Sequence, residues 1–132
     1  MDHRAEGRIT ECPEYLRVDF GSSNRFELSE TYRSFADLFI GKPMNGALLN
    51  AGDTDPEGHR VLRLALSAIA RTAAIPQDFK LALVSSTTSV QAVYREAQQS
   101  LRASGLNAWA FDSVNEAVEW LEGRAVSGRT AS

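Results

Sequence analysis

Hydrophobic positions along the chain switch repeatedly between a period of two and a period between three and four. Tyr15-Leu16-Arg17-Val18-Asp19-Phe20 alternates, with Leu16, Val18 and Phe20 on one face and Arg17 and Asp19 on the other. That pattern predicts a strand buried on one side. Leu28, Tyr32, Phe35 and Leu38-Phe39 then recur at helical spacing opposite Glu30, Arg33, Ser34 and Asp37. They predict a helix from a Ser29 cap to about Ile40, ended by Gly41 and Pro43. Ala47 to Ala51 is short and mostly apolar, as a strand buried on both faces must be.

The same unit then repeats. Asp53-Thr54-Asp55 is a polar turn, with Asp55 as N-cap and Pro56 as first residue of a long helix to Ala74. Leu62, Leu66, Ile69 and Ala73 form its apolar stripe, with Arg60, Arg63 and Arg71 on the outer face. Phe79 to Ser85 is the next strand. Thr88 and Gln91 have capping-box spacing for a helix to Ser104 that buries Val90, Val93, Tyr94, Ala97 and Leu101. Asn107 to Phe111 is the last strand. Ser113 and Glu116 open a last helix that buries Val114, Ala117, Val118 and Leu121.

From Tyr15 onward the order is strand then helix throughout. Such an order predicts an α/β domain with a mostly parallel open sheet and about four flanking helices. Arg8 to Glu11, broken by Pro13, adds an antiparallel N-terminal edge hairpin. The domain is expected over residues 8–123, between a polar disordered N-terminus, 1–7, and a small polar disordered tail, 124–132.

Composition narrows the function classes. The 132 residues suit one domain with its own core, and a net charge of -3 gives no basic footprint for nucleic acid. Cys12 is the single cysteine, which fits a reducing compartment. The first six residues lack an apolar core, so no signal peptide is expected, and no window nears the roughly 18 apolar residues of a membrane span. The expected location is the cytoplasm.

Candidate chemistry gathers where the strands end. Asp53, Thr54 and Asp55, then Ser85, Ser86 and Thr87, then Asp112 and Ser113, form a polar rim at the carboxyl ends. Helix N-termini lie behind it, so the rim could hold an anion or a phosphate. Helix capping alone accounts for the same residue types. His59 lies in the first turn of its helix without a second local histidine or cysteine, so it is expected to be solvated, and no metal or other cofactor is implied. Gly41-Lys42 follows a helix rather than opening one, so it is not a phosphate loop.

The leading hairpin, the alternating helices and strands, and the run Asn107-Ala108-Trp109-Ala110-Phe111-Asp112-Ser113 into Val114-Asn115-Glu116-Ala117-Val118-Glu119-Trp120-Leu121 resemble the STAS-like proteins. These are relatives of the anti-sigma-factor antagonists and include bacterial single-domain members. In the antagonists, a partner kinase phosphorylates a serine in an Asp-Ser-Ser-Gly turn. The turn at that position here is Gly52-Asp53-Thr54-Asp55-Pro56, which keeps Asp53 and Thr54 and lacks the paired serines and the glycine. The resemblance implies a non-enzymatic regulatory or protein-binding module with a protein partner or a homodimer, and Thr54 as the candidate phosphoacceptor. A receiver domain is excluded, because its acidic pair and lysine are replaced by Gly21-Ser22-Ser23 and Asp112-Ser113.

Two other classes carry their own requirements. A small-molecule or lipid-binding domain would need an apolar pocket. A hydrolase using Asp53, Ser85 or His59 would need His59 and a rim hydroxyl within hydrogen-bond reach in one cleft. Self-association would draw on the exposed edge hairpin, with Tyr15, Phe35 and Phe39 contributing an apolar patch.

Overall fold

Five strands add to one another in the order of the chain, and that order decides where every helix lies. The computed structural model describes residues 8–21, 25–42, 44–52, 54, 56–61, 79–103 and 105–123. Strands β1 (Arg8–Glu11) and β2 (Leu16–Asp19) pair antiparallel. Strands β3 (Gly46–Asn50), β4 (Lys80–Val84) and β5 (Asn107–Phe111) follow, each parallel to its neighbour. The sheet order is β1-β2-β3-β4-β5. The helices are α1 (Arg25–Gly41), a 3₁₀ helix (Pro56–Val61), α2 (Thr88–Ala103) and α3 (Val114–Leu121). The expected class is present: an α/β sheet, antiparallel at its N-terminal edge and otherwise parallel.

A parallel sheet that grows in one direction with crossovers of one hand puts all its connections on one face. Here α1, the 3₁₀ helix and α2 share a face, over Leu16, Val18, Ala47, Leu49, Leu81, Leu83 and Ala108. The register explains the selection, since Val18 pairs with Leu49, Leu49 with Leu83, and Leu81 with Ala108. Directly paired residues point the same way, so one apolar stripe crosses all four strands. Each large side chain sealed there contributes about 1.5–3 kcal/mol.

The opposite face is covered by the eight residues of α3. Ala117 and Leu121 bury Leu48, Ala82 and Val84 together with Tyr15. Ser113 caps α3 by accepting from the Glu116 amide, as its spacing predicts. Lys80 donates to the Trp120 carbonyl at the other end, at 2.8 Å. Beyond α3 the face is polar. Arg17 makes two bonds to the Asp19 carboxylate, at 2.9 and 3.2 Å, and Asn50 donates to the same group at 2.9 Å. The polar side of the alternating strand is therefore held by this ion pair and the Asn50 amide.

Several expectations need correction. Helix α1 begins at Arg25, so Ser29 lies inside it, and Thr31 donates back to the Glu27 carbonyl. Leu38 is 44% exposed, while Ala36 is buried with Leu28, Tyr32, Phe35 and Phe39. At about 100° per residue Leu38 is turned well away from Phe39, and Ala36 completes the inward stripe. Tyr15, Phe35 and Phe39 are all interior, so they form no surface patch for a second copy. Pro56 opens a 3₁₀ helix rather than an α-helical turn. The stripe Leu62 to Ala73 and the arginines Arg63 and Arg71 lie outside the described residues, as do both chain ends. Among the described residues no helix is long and apolar enough to cross a membrane.

Candidate functional site

The chain leaves β3 at Asn50 and turns at once. Gly52 has φ +64, and a Cβ there would stand 2.5 Å from the Gly21 carbonyl oxygen, so the turn requires glycine. It carries Thr54 inward. The 3₁₀ helix then packs against both α1 and α2, with Gly58 seated on the Leu28 side chain where a Cβ would not fit. This approach sinks His59, which is 1% exposed. The expectation of a solvated histidine is wrong.

His59 is instead the centre of a buried polar cluster. Its Nε2 lies 2.6 Å from the Thr54 hydroxyl, and its Nδ1 lies 2.8 Å from the Tyr32 hydroxyl and 3.2 Å from that of Tyr94. The two tyrosine hydroxyls are 3.2 Å apart. Phe20 meets the imidazole edge-on, with ring centroids 5.2 Å apart. The proton positions follow from counting donors. Thr54 spends its one proton on the Ala51 carbonyl, at 2.9 Å, so His59 Nε2 must carry a hydrogen and donate to Thr54. In the neutral ring Nδ1 is then an acceptor with one lone pair; the nearer hydroxyl, that of Tyr32, donates to it, and the Tyr94 hydroxyl donates to the Tyr32 oxygen. Burial raises the pKa of both Tyr32 and Tyr94 above the usual tyrosine value, so both remain donors at neutral pH.

Thr54 is buried, and its hydroxyl accepts from His59 and donates to Ala51. A phosphate on that oxygen would displace both bonds. Asp53 and Asp55, its neighbours in the turn, lie outside the described residues.

The rest of the described rim is polar and graded in exposure. Ser85 is 1% exposed, and its hydroxyl accepts from the Thr87 amide at 3.0 Å. Gln91 donates to the Ser85 carbonyl at 2.7 Å, so its amide caps the β4–α2 turn rather than closing a box with Thr88. Ser86 and Asp112 are exposed, and Thr87 is half-buried. After β4 the chain crosses to the face holding α2, whereas after β5 it crosses to the face holding α3. Neighbouring strands whose connections part in this way leave a crevice at their carboxyl ends, the usual ligand position in open α/β sheets. A crevice of about 150 Å³ lies there. Ser85, Gln91, Tyr94 and Arg95 line one wall, and Phe111, Asp112 and Glu116 the other.

Of the expected rim residues, the structure brings Ser85 and Asp112 into this crevice and puts Thr54 behind it, in the interior. Sequence reasoning missed Gln91, Arg95 and Glu116 as site residues, since Gln91 and Glu116 lie in the first turn of their helices and Arg95 in the second, beyond the loops where candidates were sought. It also missed the cluster around His59. The available signal was two tyrosines, Tyr32 and Tyr94, on otherwise apolar helix stripes, since a buried tyrosine hydroxyl needs a partner. Among the described residues no group of three or more His, Cys, Asp or Glu side chains could hold a metal ion. Comparison with family models, curated proteins and solved structures found no match for the chain.

Proposed function

We propose that this domain is a non-enzymatic regulatory binding module of the STAS-like type, which meets its target at the carboxyl end of the sheet. The observation that carries this reading is the fate of Thr54 and His59. At 2.6 Å theirs is a closer hydroxyl–imidazole contact than those of Tyr32 and Tyr94, yet both are buried and the hydroxyl proton is committed to Ala51. A general base must reach substrate, and this one reaches its own core. Hydrogen-bond reach without a cleft meets half of what a hydrolase needs.

The leading hairpin and the alternating order of elements support the STAS-like assignment as part of the same proposal. A cytoplasmic setting is part of that proposal, in keeping with Cys12 as the single cysteine. A small-molecule version is favoured over a lipid-binding one, because the crevice between β4 and β5 is small and rimmed by charge. The test is turnover of chromogenic carboxyl and phosphate esters by wild type and by His59→Phe. The expected result is no turnover above the buffer rate for either protein. Turnover that His59→Phe abolishes would replace the binding reading with an enzymatic one.

A further inference from the structure

The crevice between β4 and β5 presents unlike charges on its two walls, and the walls belong to different elements. On the α2 side, Gln91 and Arg95 are four residues apart and so share one helix face. On the other side, Asp112 ends β5 and Glu116 stands in the first turn of α3. Arg95, Asp112 and Glu116 are all exposed side chains at the mouth. The Gln91 amide nitrogen is held by the Ser85 carbonyl at 2.7 Å, which fixes that side chain and leaves its oxygen as an acceptor. The floor is less polar, made by Leu83, Ala110 and the Tyr94 ring.

Size and charge together limit the occupant. About 150 Å³ is close to the volume that holds a six-carbon ring inside a protein, so the part of an occupant that enters the crevice is about that size. A whole nucleotide or a long acyl chain would not enter it. A simple anion drawn to Arg95 would face two carboxylates, and a simple cation drawn to the carboxylates would face Arg95. A molecule carrying both charges satisfies both walls. Building on the reading of the domain as a binding module, we propose that this crevice binds a free α-amino acid or a zwitterion of that size. Its carboxylate pairs with Arg95 and its ammonium with Asp112 and Glu116, and the Gln91 oxygen accepts a further ammonium proton. Arg95 is suited to the first role by its planar fork, which matches a carboxylate.

The occupant would rest on Tyr94, whose hydroxyl lies 3.2 Å from His59, and beside Phe111, whose ring packs on Trp120 with centroids 5.4 Å apart. Binding should therefore be visible in the protein's own tryptophan emission. The experiment titrates the full chain with glycine, alanine, glutamate and arginine, and separately with acetate, methylammonium and inorganic phosphate. Tryptophan fluorescence and thermal shift are the readouts. At least one amino acid is expected to saturate at millimolar concentration or below, with acetate and methylammonium at least tenfold weaker. Arg95→Ala and Asp112→Asn should each weaken that binding at least tenfold while leaving the far-ultraviolet spectrum unchanged. Saturation by phosphate alone, lost in Arg95→Ala, overturns the amino-acid assignment and keeps the binding module. Failure of every probe to saturate, or equal binding by both variants, also overturns the assignment. Ester turnover dependent on His59 overturns the module reading itself, whatever the titrations give.

Discussion

The Thr54 hydroxyl oxygen and His59 Nε2 lie 2.6 Å apart inside the protein, and the hydroxyl proton points away, to the Ala51 carbonyl. The pair thus ties the turn after β3 to the 3₁₀ helix that follows it. Thr54→Val removes the hydroxyl and leaves a buried N–H and a buried carbonyl without that partner. A loss of about 1–3 kcal/mol is expected, read as a lower urea midpoint at constant slope. Thr54→Ser restores the oxygen and should recover most of it. An unchanged midpoint in Thr54→Val would show that the contact contributes nothing.

The Tyr32 and Tyr94 hydroxyls reach the same nitrogen from different helices, at 2.8 and 3.2 Å, the nearer one donating to it. Tyr32→Phe should cost about 1–2 kcal/mol and Tyr94→Phe less, because its contact is longer. The two hydroxyls also meet each other, so the double variant should depart from additivity by about 0.5 kcal/mol or more. Strict additivity in urea melts would refute a shared network.

Alkaline pH should unfold the protein through its tyrosines. All three are held above the usual value of 10.0: Tyr15 is pushed up to about 12 by burial and by the neighbouring Cys12, and Tyr32 and Tyr94 are raised by burial. An unfolded tyrosine loses its proton near pH 10 while the folded one keeps it. Above that pH the unfolded state binds fewer protons, and stability falls as pH rises. For Tyr15 the loss runs from pH 10.0 to about 12. Below pH 10 these groups leave stability unchanged. Tyrosinate absorbance should rise together with loss of circular dichroism, and a rise near pH 10 in still-folded protein would contradict the burial argument.

Gly52→Ala should destabilise by about 2 kcal/mol, since it places a Cβ against the Gly21 carbonyl in a backbone conformation that alanine resists. Gly105→Ala is the control. Its φ is +99 but no atom lies within 4 Å, so it carries conformational strain without the collision and should cost less. Thermal melts of both variants decide the order.

The outer edge of β5 is sealed by α2. The Ala110 amide donates to the Gln98 side-chain oxygen at 2.7 Å, and Arg102 reaches the Ala108 carbonyl at 3.4 Å while lying 4.2 Å from the Trp109 ring centre. Open strand edges invite pairing with another chain. Replacing both Gln98 and Arg102 by alanine should shift sedimentation toward larger species than wild type at the same micromolar concentration. An unchanged profile would show that these side chains do not guard the edge.

The positions of the strands, the buried stripe of α2 and most of that of α1 were legible in the sequence because they depend on local periods. Of the four residues expected to be buried on α3, only Ala117 and Leu121 are, Val114 and Val118 being half-buried. Leu16, Val18 and Phe20 alternate, and Val90, Val93, Tyr94, Ala97 and Leu101 recur at helical spacing; all eight are buried. Residues next to one another in the chain report those periods directly. The sites depend instead on residues far apart in sequence. His59 is interior because α1 and α2 close over a 3₁₀ helix, bringing Tyr32 and Tyr94 to it from 27 and 35 positions away. Arg95 and Asp112 share a crevice because β4 and β5 are adjacent while their connections leave on opposite faces. Local propensity is a property of short segments, whereas the placing of a helix above or below a sheet is decided by strand order and the hand of crossovers, which exist only once the chain has folded.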